Sequence, residues 1–273
     1  MLRARIADET GMRANAAPLS SKIQIPQPAL VICHPGHELK LFGWVTLARP
    51  VVHVLTDGSG SSKRSRLKST ERVLESAGVE PGELFGRFSD AQLYQRLLQR
   101  DAGFFIGLVE ELADILVRLG SSLIVGDAAE GYNSGHDVCR LLVDAAVMLI
   151  RQRTGRCISN RAVALTVPSS NAAGEKIELS VELWRRKREA ARHYAELVDE
   201  VERLSAVFGL NAFAVETLLP VRSLLSVPGN SPHYEEYGRR QVEAGHYPAV
   251  IRYTDHIAPL AAKLRAYVTE AGT

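Results

Sequence analysis

Residues 29–38 read Ala-Leu-Val-Ile-Cys-His-Pro-Gly-His-Glu, so two imidazoles, His34 and His37, stand three residues apart across a Pro-Gly pair, with Glu38 next to them. Imidazole is both the commonest protein metal ligand and the side chain best suited to proton exchange near neutrality. Two of them on one turn can form half of a metal site; the alternative is a pair of ordinary loop histidines. A second polar stretch, residues 126–137, carries Asp127, Glu130, Asn133, His136 and Asp137. A third is Thr56-Asp57-Gly58-Ser59-Gly60. Carboxylates on such loops are ionised beside a cation and can accept a proton from water.

Each of these stretches follows an apolar run short enough for a buried strand. Ala29 to Cys33 lies between Pro28 and Pro35, Val51 to Leu55 precedes Thr56, and Ser122 to Val125 precedes Gly126. In open parallel α/β sheets the ligand crevice lies outside the C-terminal strand ends. Pro35 and Gly36 force a turn, which lets His37 and Glu38 face the same crevice as His34. Residues 126–137 end in a helix that starts near His136, with Val138, Leu141, Leu142, Ala145 and Leu149 as its buried stripe. His136 and Asp137 thus fall in a first helical turn, where an acid is also favoured by the helix dipole alone. His53 lies inside the second strand and reads as a satisfied strand histidine before a catalytic one. The Gly58–Ser62 turn could cradle an anion with its N–H groups but lacks the spacing of a dinucleotide fingerprint or P-loop.

The spacing predicts helices over 66–77, 91–100 and 104–119, ended by Gly78 and Gly120 in the first and last cases. Residues 82–90 read as loop, 161–167 and 176–179 as strands, and 181–208 as one long amphipathic helix closed by Gly209. Phe213 to Leu219 is a last extended segment, 220–232 a loop, and 234–271 helical pieces divided by Pro248 and Pro259. The expected architecture is α/β, a Rossmann-like three-layer fold with a mostly parallel sheet and a helical C-terminal extension. Its parts are an N-terminal arm (1–24), the α/β domain (25–220) and the extension (221–273). That extension, with Tyr234, Tyr237, His246, Tyr247 and His256, either closes over the crevice, forms a subunit contact, or packs on the outer face of the sheet.

The 273 residues carry 33 basic and 31 acidic side chains, and the net charge of +2 comes with no basic stripe interleaved with aromatics. Nucleic acid is therefore not an expected partner. Lys63-Arg64-Ser65-Arg66 is a solvated loop or an anion contact. Three scattered cysteines, Cys33, Cys139 and Cys157, argue against a disulfide framework and for a reducing, cytoplasmic setting. No apolar stretch reaches the roughly 20 residues of a membrane span. A homo-oligomer is compatible with the tail.

The order strand, His34-Pro35-x-x-Glu38, strand, Thr56-Asp57-Gly58, then Asn133-Ser134-Gly135-His136 at a helix start resembles the PIG-L/LmbE-like deacetylase family across residues 29–150. The resemblance implies a Rossmann-like fold and hydrolysis of N-acetyl groups on aminosugar conjugates with a divalent metal, usually zinc. It implies His34, His37 and His136 as metal ligands, Arg66 as a substrate contact, and Asn133 at the place of a residue that assists the transition state. Two positions depart from the family's His-Pro-Asp-Asp-Glu. Gly36 stands where the general base is, and His37 where a carboxylate ligand is. Three histidines remain a sound zinc set with an open position, less negative than one with a carboxylate.

Three functional readings follow. The first is a zinc-dependent hydrolase of an N-acyl amine, a sugar conjugate, with its base supplied by Asp127, Asp57 or Glu130. The second is a small-molecule binder that keeps the crevice and has lost catalysis, favoured by Gly36. The third is a transferase on a similar scaffold, disfavoured by the missing glycine fingerprint.

Overall fold

The computed structural model describes residues 26–166, 173–221, 224–226 and 232–271. The N-terminal arm 1–24, the Pro168–Asn171 loop and most of the 220–232 loop lie outside the described residues. Among those described, seven strands form one sheet: β1 (Ala29–Ile32), β2 (Val51–Thr56), β3 (Pro81–Phe88), β4 (Leu123–Asp127), β5 (Ser159–Val163), β6 (Glu175–Glu178) and β7 (Val215–Pro220). Their order is β3-β2-β1-β4-β5-β7-β6. The first five run parallel, and β7 pairs antiparallel with β5 and β6. Helices cover both faces: α1 (Phe42–Ala48), α2 (Leu67–Ala77), α3 (Asp90–Leu98), α4 (Ala102–Arg118), α5 (Ser134–Thr154), α6 (Val181–Arg192), α7 (Val198–Phe208), α8 (His233–Glu243) and α9 (Ala258–Glu270). No helix among the described residues is long and apolar enough to cross a membrane.

The three-layer packing follows from strand alternation. Successive side chains of a strand point to opposite faces. Ala29 and Val31 join a core with α4, α5 and α9, whereas Leu30 and Ile32 join one with α1 and α2. Both faces of β1 are covered, which is why its sequence reads as a continuous apolar run. The order places β1 between β2 and β4, so consecutive crossovers leave β1 and β4 in opposite directions. That switch point opens a crevice at their C-terminal ends.

Three expectations are corrected. Residues 81–88 form strand β3 rather than a loop. Its register on β2 slips twice, its burial alternates weakly, and Gly86 has φ 62°. Two glycines and two charges on an irregular edge strand hide the period-2 signal. Residues 181–208 do not form one helix. The chain leaves α6 at Tyr194 (φ −87°, ψ 81°), passes through a short 3₁₀ turn, Ala195–Leu197, and restarts as α7. Tyr194 is buried, with its hydroxyl 2.9 Å from Thr70 Oγ1, so packing of one side chain overrides the helical period. The strand foreseen over 161–167 is Ser159–Val163 within the described residues.

The tail's last helix packs on α4 and α5. Ile257, Leu260, Leu264 and Val268 sit in the same core as Val31 and Ile124. This is the outer-face arrangement for α9. Nearer the crevice, His233 stacks on Tyr132, and Tyr247 lies 6.0 Å from the Tyr94 ring.

Candidate metal and substrate site

Beyond Ile32 the chain turns through His34 and Pro35 to Gly36, whose φ of 108° suits glycine alone. The 3₁₀ turn His37–Leu41 follows. Glu38 secures this turn: one carboxylate oxygen accepts from the Gly36 N–H at 2.7 Å and the other from Thr70 Oγ1 at 2.9 Å. Burial raises the Glu38 carboxyl above its ordinary pKa. Beyond β4, Asn133 caps α5, its side-chain oxygen accepting from the Gly135 N–H at 2.8 Å. His136 then stands in the first turn of α5, directly across the crevice from β1.

The three imidazoles meet there. Ring centroids are 5.5 Å apart for His34 and His37, 5.3 Å for His34 and His136, and 4.6 Å for His37 and His136. Three imidazoles bound to one tetrahedral ion through nitrogens at about 2.0–2.1 Å would have centroids about 5 Å apart. The other nitrogens are held from behind. His34 Nδ1 is 2.9 Å from Asp90 Oδ1 and 2.9 Å from Thr56 Oγ1. His37 Nδ1 is 3.0 Å from both oxygens of Asp127. A carboxylate on Nδ1 fixes the proton there and leaves Nε2 as a lone-pair donor, the usual support of a metal-binding histidine. His34 Nε2 and His136 Nδ1 are buried with no hydrogen-bond partner.

Charges agree with this arrangement. Burial would raise the Asp90 carboxyl, but the His34 ring, Thr56 hydroxyl and Gly60 N–H hold it well below the usual carboxylate range. His136 is pushed well below its ordinary value by burial and by the two neighbouring rings, so it is neutral, as a metal donor must be. Asp137, in the same first turn, points inward, away from the rings. It accepts from the Glu130 and Gly131 N–H groups at 3.1 Å, and burial raises it to about 7. Among the described residues no group of three or more His, Cys, Asp or Glu side chains is placed so that it could hold a metal ion. The separation of the rings, the unpartnered nitrogens of His34 and His136 and the imidazole donor set are of the kind a divalent ion takes.

The three carboxylates expected to supply a base stand as follows. Asp127 is fully buried and fully used, with Oδ2 also accepting from the Cys33 N–H at 2.7 Å. Glu130 clamps a loop, accepting from the N–H groups of Leu165 and Thr166 and from the Thr166 hydroxyl. Asp57 is half-buried and accepts from the Ser59 N–H at 2.9 Å. Arg66 precedes α2, is half-buried and lines the cavity beside His37.

Sequence reading missed Asp90, Glu216 and Lys187. Asp90 follows Ser89, which forms a capping box with Gln92 at the C-terminal end of β3. That Ser-x-x-Gln signal marks a helix start at a strand end, and would have placed Asp90 at the crevice had β3 been recognised. Glu216 accepts from the Gly43 and Trp44 N–H groups at 2.9 and 2.8 Å and from Lys187 Nζ at 2.8 Å, anchoring α6 over the site.

A cavity of about 370 Å³ opens from His37 and His136 under α6 and α7. Leu197, between these helices, takes the space beside Gly36: a Cβ built on Gly36 would lie 2.4 Å from Leu197 Cδ1.

No family model matches the chain, and no curated protein matches it. Solved structures do. The zinc-inhibited form of teicoplanin deacetylase Orf2 aligns at TM-score 0.47 with 12% identity, over 80% of this chain and 94% of that one. The A40926 pseudoaglycone deacetylase Dbv21 aligns at 0.47 with 15% identity, over 80% and 92%. The conserved protein TT1542 from Thermus thermophilus aligns at 0.51 with 19% identity, over 76% of this chain and 99% of that one, and with it this chain shares the α/β three-layer fold.

Proposed function

We propose that this protein is a metal-dependent amide hydrolase, a deacetylase of N-acylated aminosugar conjugates, with zinc held by His34, His37 and His136. The observation that carries this reading is the meeting of three imidazoles at the β1/β4 switch point, two of them backed by carboxylates. When bound, the cation supplies Lewis acidity toward the acyl carbonyl and toward water. Asp90 and Asp127 orient His34 and His37 and hold their protons at Nδ1. Asp127 and Glu130 thus position groups instead of exchanging protons, and Asp57 is the carboxylate assigned to accept one. Arg66 faces the ligand from the rim. The three unpaired cysteines accord with a reducing, cytoplasmic setting.

A second reading has its own observation. Gly36 offers no acid, and Leu197 occupies the place where one would project. A binder on a hydrolase scaffold would look this way. Acetate release from a panel of N-acetylglucosaminyl conjugates by untagged, zinc-loaded protein decides between them. The hydrolase predicts release that His34→Ala abolishes and Asp57→Asn lowers by at least tenfold. Zinc uptake with ligand binding but no release would leave the binder. Absence of zinc uptake would sink the metal site altogether.

A further inference from the structure

Helix α6 has two lined faces. Trp184, Lys187, Arg188 and Ala191 border the crevice cavity. Arg185, Arg186, Glu189 and His193 border a second cavity, of about 360 Å³, between α6 and α2. Phe42, Val73 and Ala190 give this groove an apolar floor, and none of its lining residues lines the crevice cavity. Its volume lies in the range that holds a small-molecule ligand.

The groove is cationic. Three guanidiniums, Arg72 from α2 and Arg185 and Arg186 from α6, line it against the single carboxylate of Glu189. Arg186 is fixed in place: it lies 5.8 Å from the centroid of the Phe42 ring and donates to the Ser76 carbonyl. A guanidinium has five N–H donors, so most of its fork remains free. Arg185 pairs with Glu182 at 2.8 Å, but these side chains are 65% and 64% exposed, and such a surface pair holds little. The side chain of Arg72 has no hydrogen bond or ion pair among the described residues. The neutral groups are already engaged. Ser69 Oγ donates to Glu196 at 2.7 Å, Ser76 Oγ to the Val73 carbonyl at 2.7 Å, and His193 Nδ1 lies 2.9 Å from the Glu189 carbonyl. The donors left over are thus the charged ones, brought from two helices to one concave site, where a field of one sign concentrates an anion.

We propose that the α2/α6 groove is a second binding site, which takes a small molecule carrying a diphosphate group on Arg72, Arg185 and Arg186. A planar guanidinium bonds two oxygens at once. Three of them exceed what one carboxylate offers and match two linked phosphoryl groups. The excess of cations over Glu189 likewise calls for a multiply charged anion. The site lies on the face of α6 away from the histidines and does not rest on the hydrolase reading.

Pyrophosphate, phosphate and citrate are titrated calorimetrically into the full chain, without added zinc, which pyrophosphate would chelate. Physiological ionic strength screens diffuse surface charge. One pyrophosphate should bind, about tenfold or more tighter than phosphate or citrate. Arg72→Gln should weaken it about tenfold or more, and Arg72→Gln/Arg185→Gln should abolish binding. Both arginines are exposed, so the variants should fold, and their melting curves check it. Arg66→Gln at the crevice rim and Lys263→Gln on α9 should leave the affinity unchanged. No saturable binding, phosphate or citrate binding as tightly as pyrophosphate, or unchanged binding by Arg72→Gln would overturn the proposal. So would a loss in Arg66→Gln, which would move the anion to the crevice, or an equal loss in Lys263→Gln, which would reduce it to net charge. Because no arm needs metal or turnover, pyrophosphate binding and acetate release stand or fall separately.

Discussion

Replacing Asp127 by asparagine removes a charge while keeping the shape, and its effect can be worked out atom by atom. Asp127 Oδ2 accepts from the Cys33 N–H at 2.7 Å, and both oxygens lie 3.0 Å from His37 Nδ1. The amide has one acceptor. Placing its carbonyl toward the Cys33 N–H satisfies that buried donor, whose loss would cost about 1–3 kcal/mol. The amide NH₂ then faces His37 Nδ1, and two donors cannot face each other. The proton moves to Nε2, so the nitrogen offered to the crevice becomes an N–H without a lone pair. Changes of this kind behind a metal-ligating histidine cost about 10–100-fold in metal affinity, equivalent to about 1.4–2.7 kcal/mol. Competition for zinc against a chromophoric chelator, on untagged protein, measures it. The melting curve checks that the variant folds. Asp90→Asn should weaken zinc binding through His34 by the same logic. Unchanged zinc affinity in a folded Asp127→Asn protein would refute His37 as a ligand.

Two further outcomes follow from buried groups. His53 is fully buried in β2, its Nδ1 accepts from the Leu84 N–H, and burial lowers its pKa to about 4. The unfolded chain therefore binds this proton first as pH falls below about 6.5, so stability is lost progressively down to about pH 4, by on the order of 3 kcal/mol at most. Urea midpoints at pH 7.5 and pH 4.5 should fall further in the native protein than in His53→Gln; equal falls would refute the assignment. Gly36→Asp should destabilise by about 1–3 kcal/mol from its left-handed φ and the Leu197 contact, without raising acetate release above that of the native chain. Adding Leu197→Ala should recover part of that loss, and a gain of turnover in the single variant would contradict this packing.

What could be read from the sequence was whatever local pattern determines. β1 and β4 are buried on both faces and sit between turn residues, so their ends, and hence His34, His37, Asp127 and His136, fall where periodicity places them. What Asp127 does there was not legible. Being at a strand end is a property of sequence, but facing a histidine 90 residues away is a property of packing. Asp90 was hidden twice over, since its partner is 56 residues distant and the strand before it carries no alternation. Asn133 and Glu130 illustrate the same limit: each is a polar residue on a crevice loop, and each spends its side chain on backbone N–H groups of that region. The break at Tyr194 shows the converse, a pattern that continued in sequence while one buried hydroxyl redirected the chain.

The glycine at position 36 and the break at Tyr194 belong to one packing solution. A left-handed residue at the first turn after β1 lets Glu38 fold back onto the Gly36 N–H, and this draws the turn toward Thr70 and Tyr194. Tyr194 ends α6, which brings Leu197 down onto Gly36 and sends α7 across the crevice mouth. A side chain at position 36 would have to displace Leu197, and with it the start of α7. The acid that the family pattern has there and the chamber under α7 therefore compete for the same space. With Leu197 in that space, position 36 meets an apolar wall and offers no proton acceptor. Under the hydrolase reading, any proton transfer in the site must therefore come from another face of the crevice.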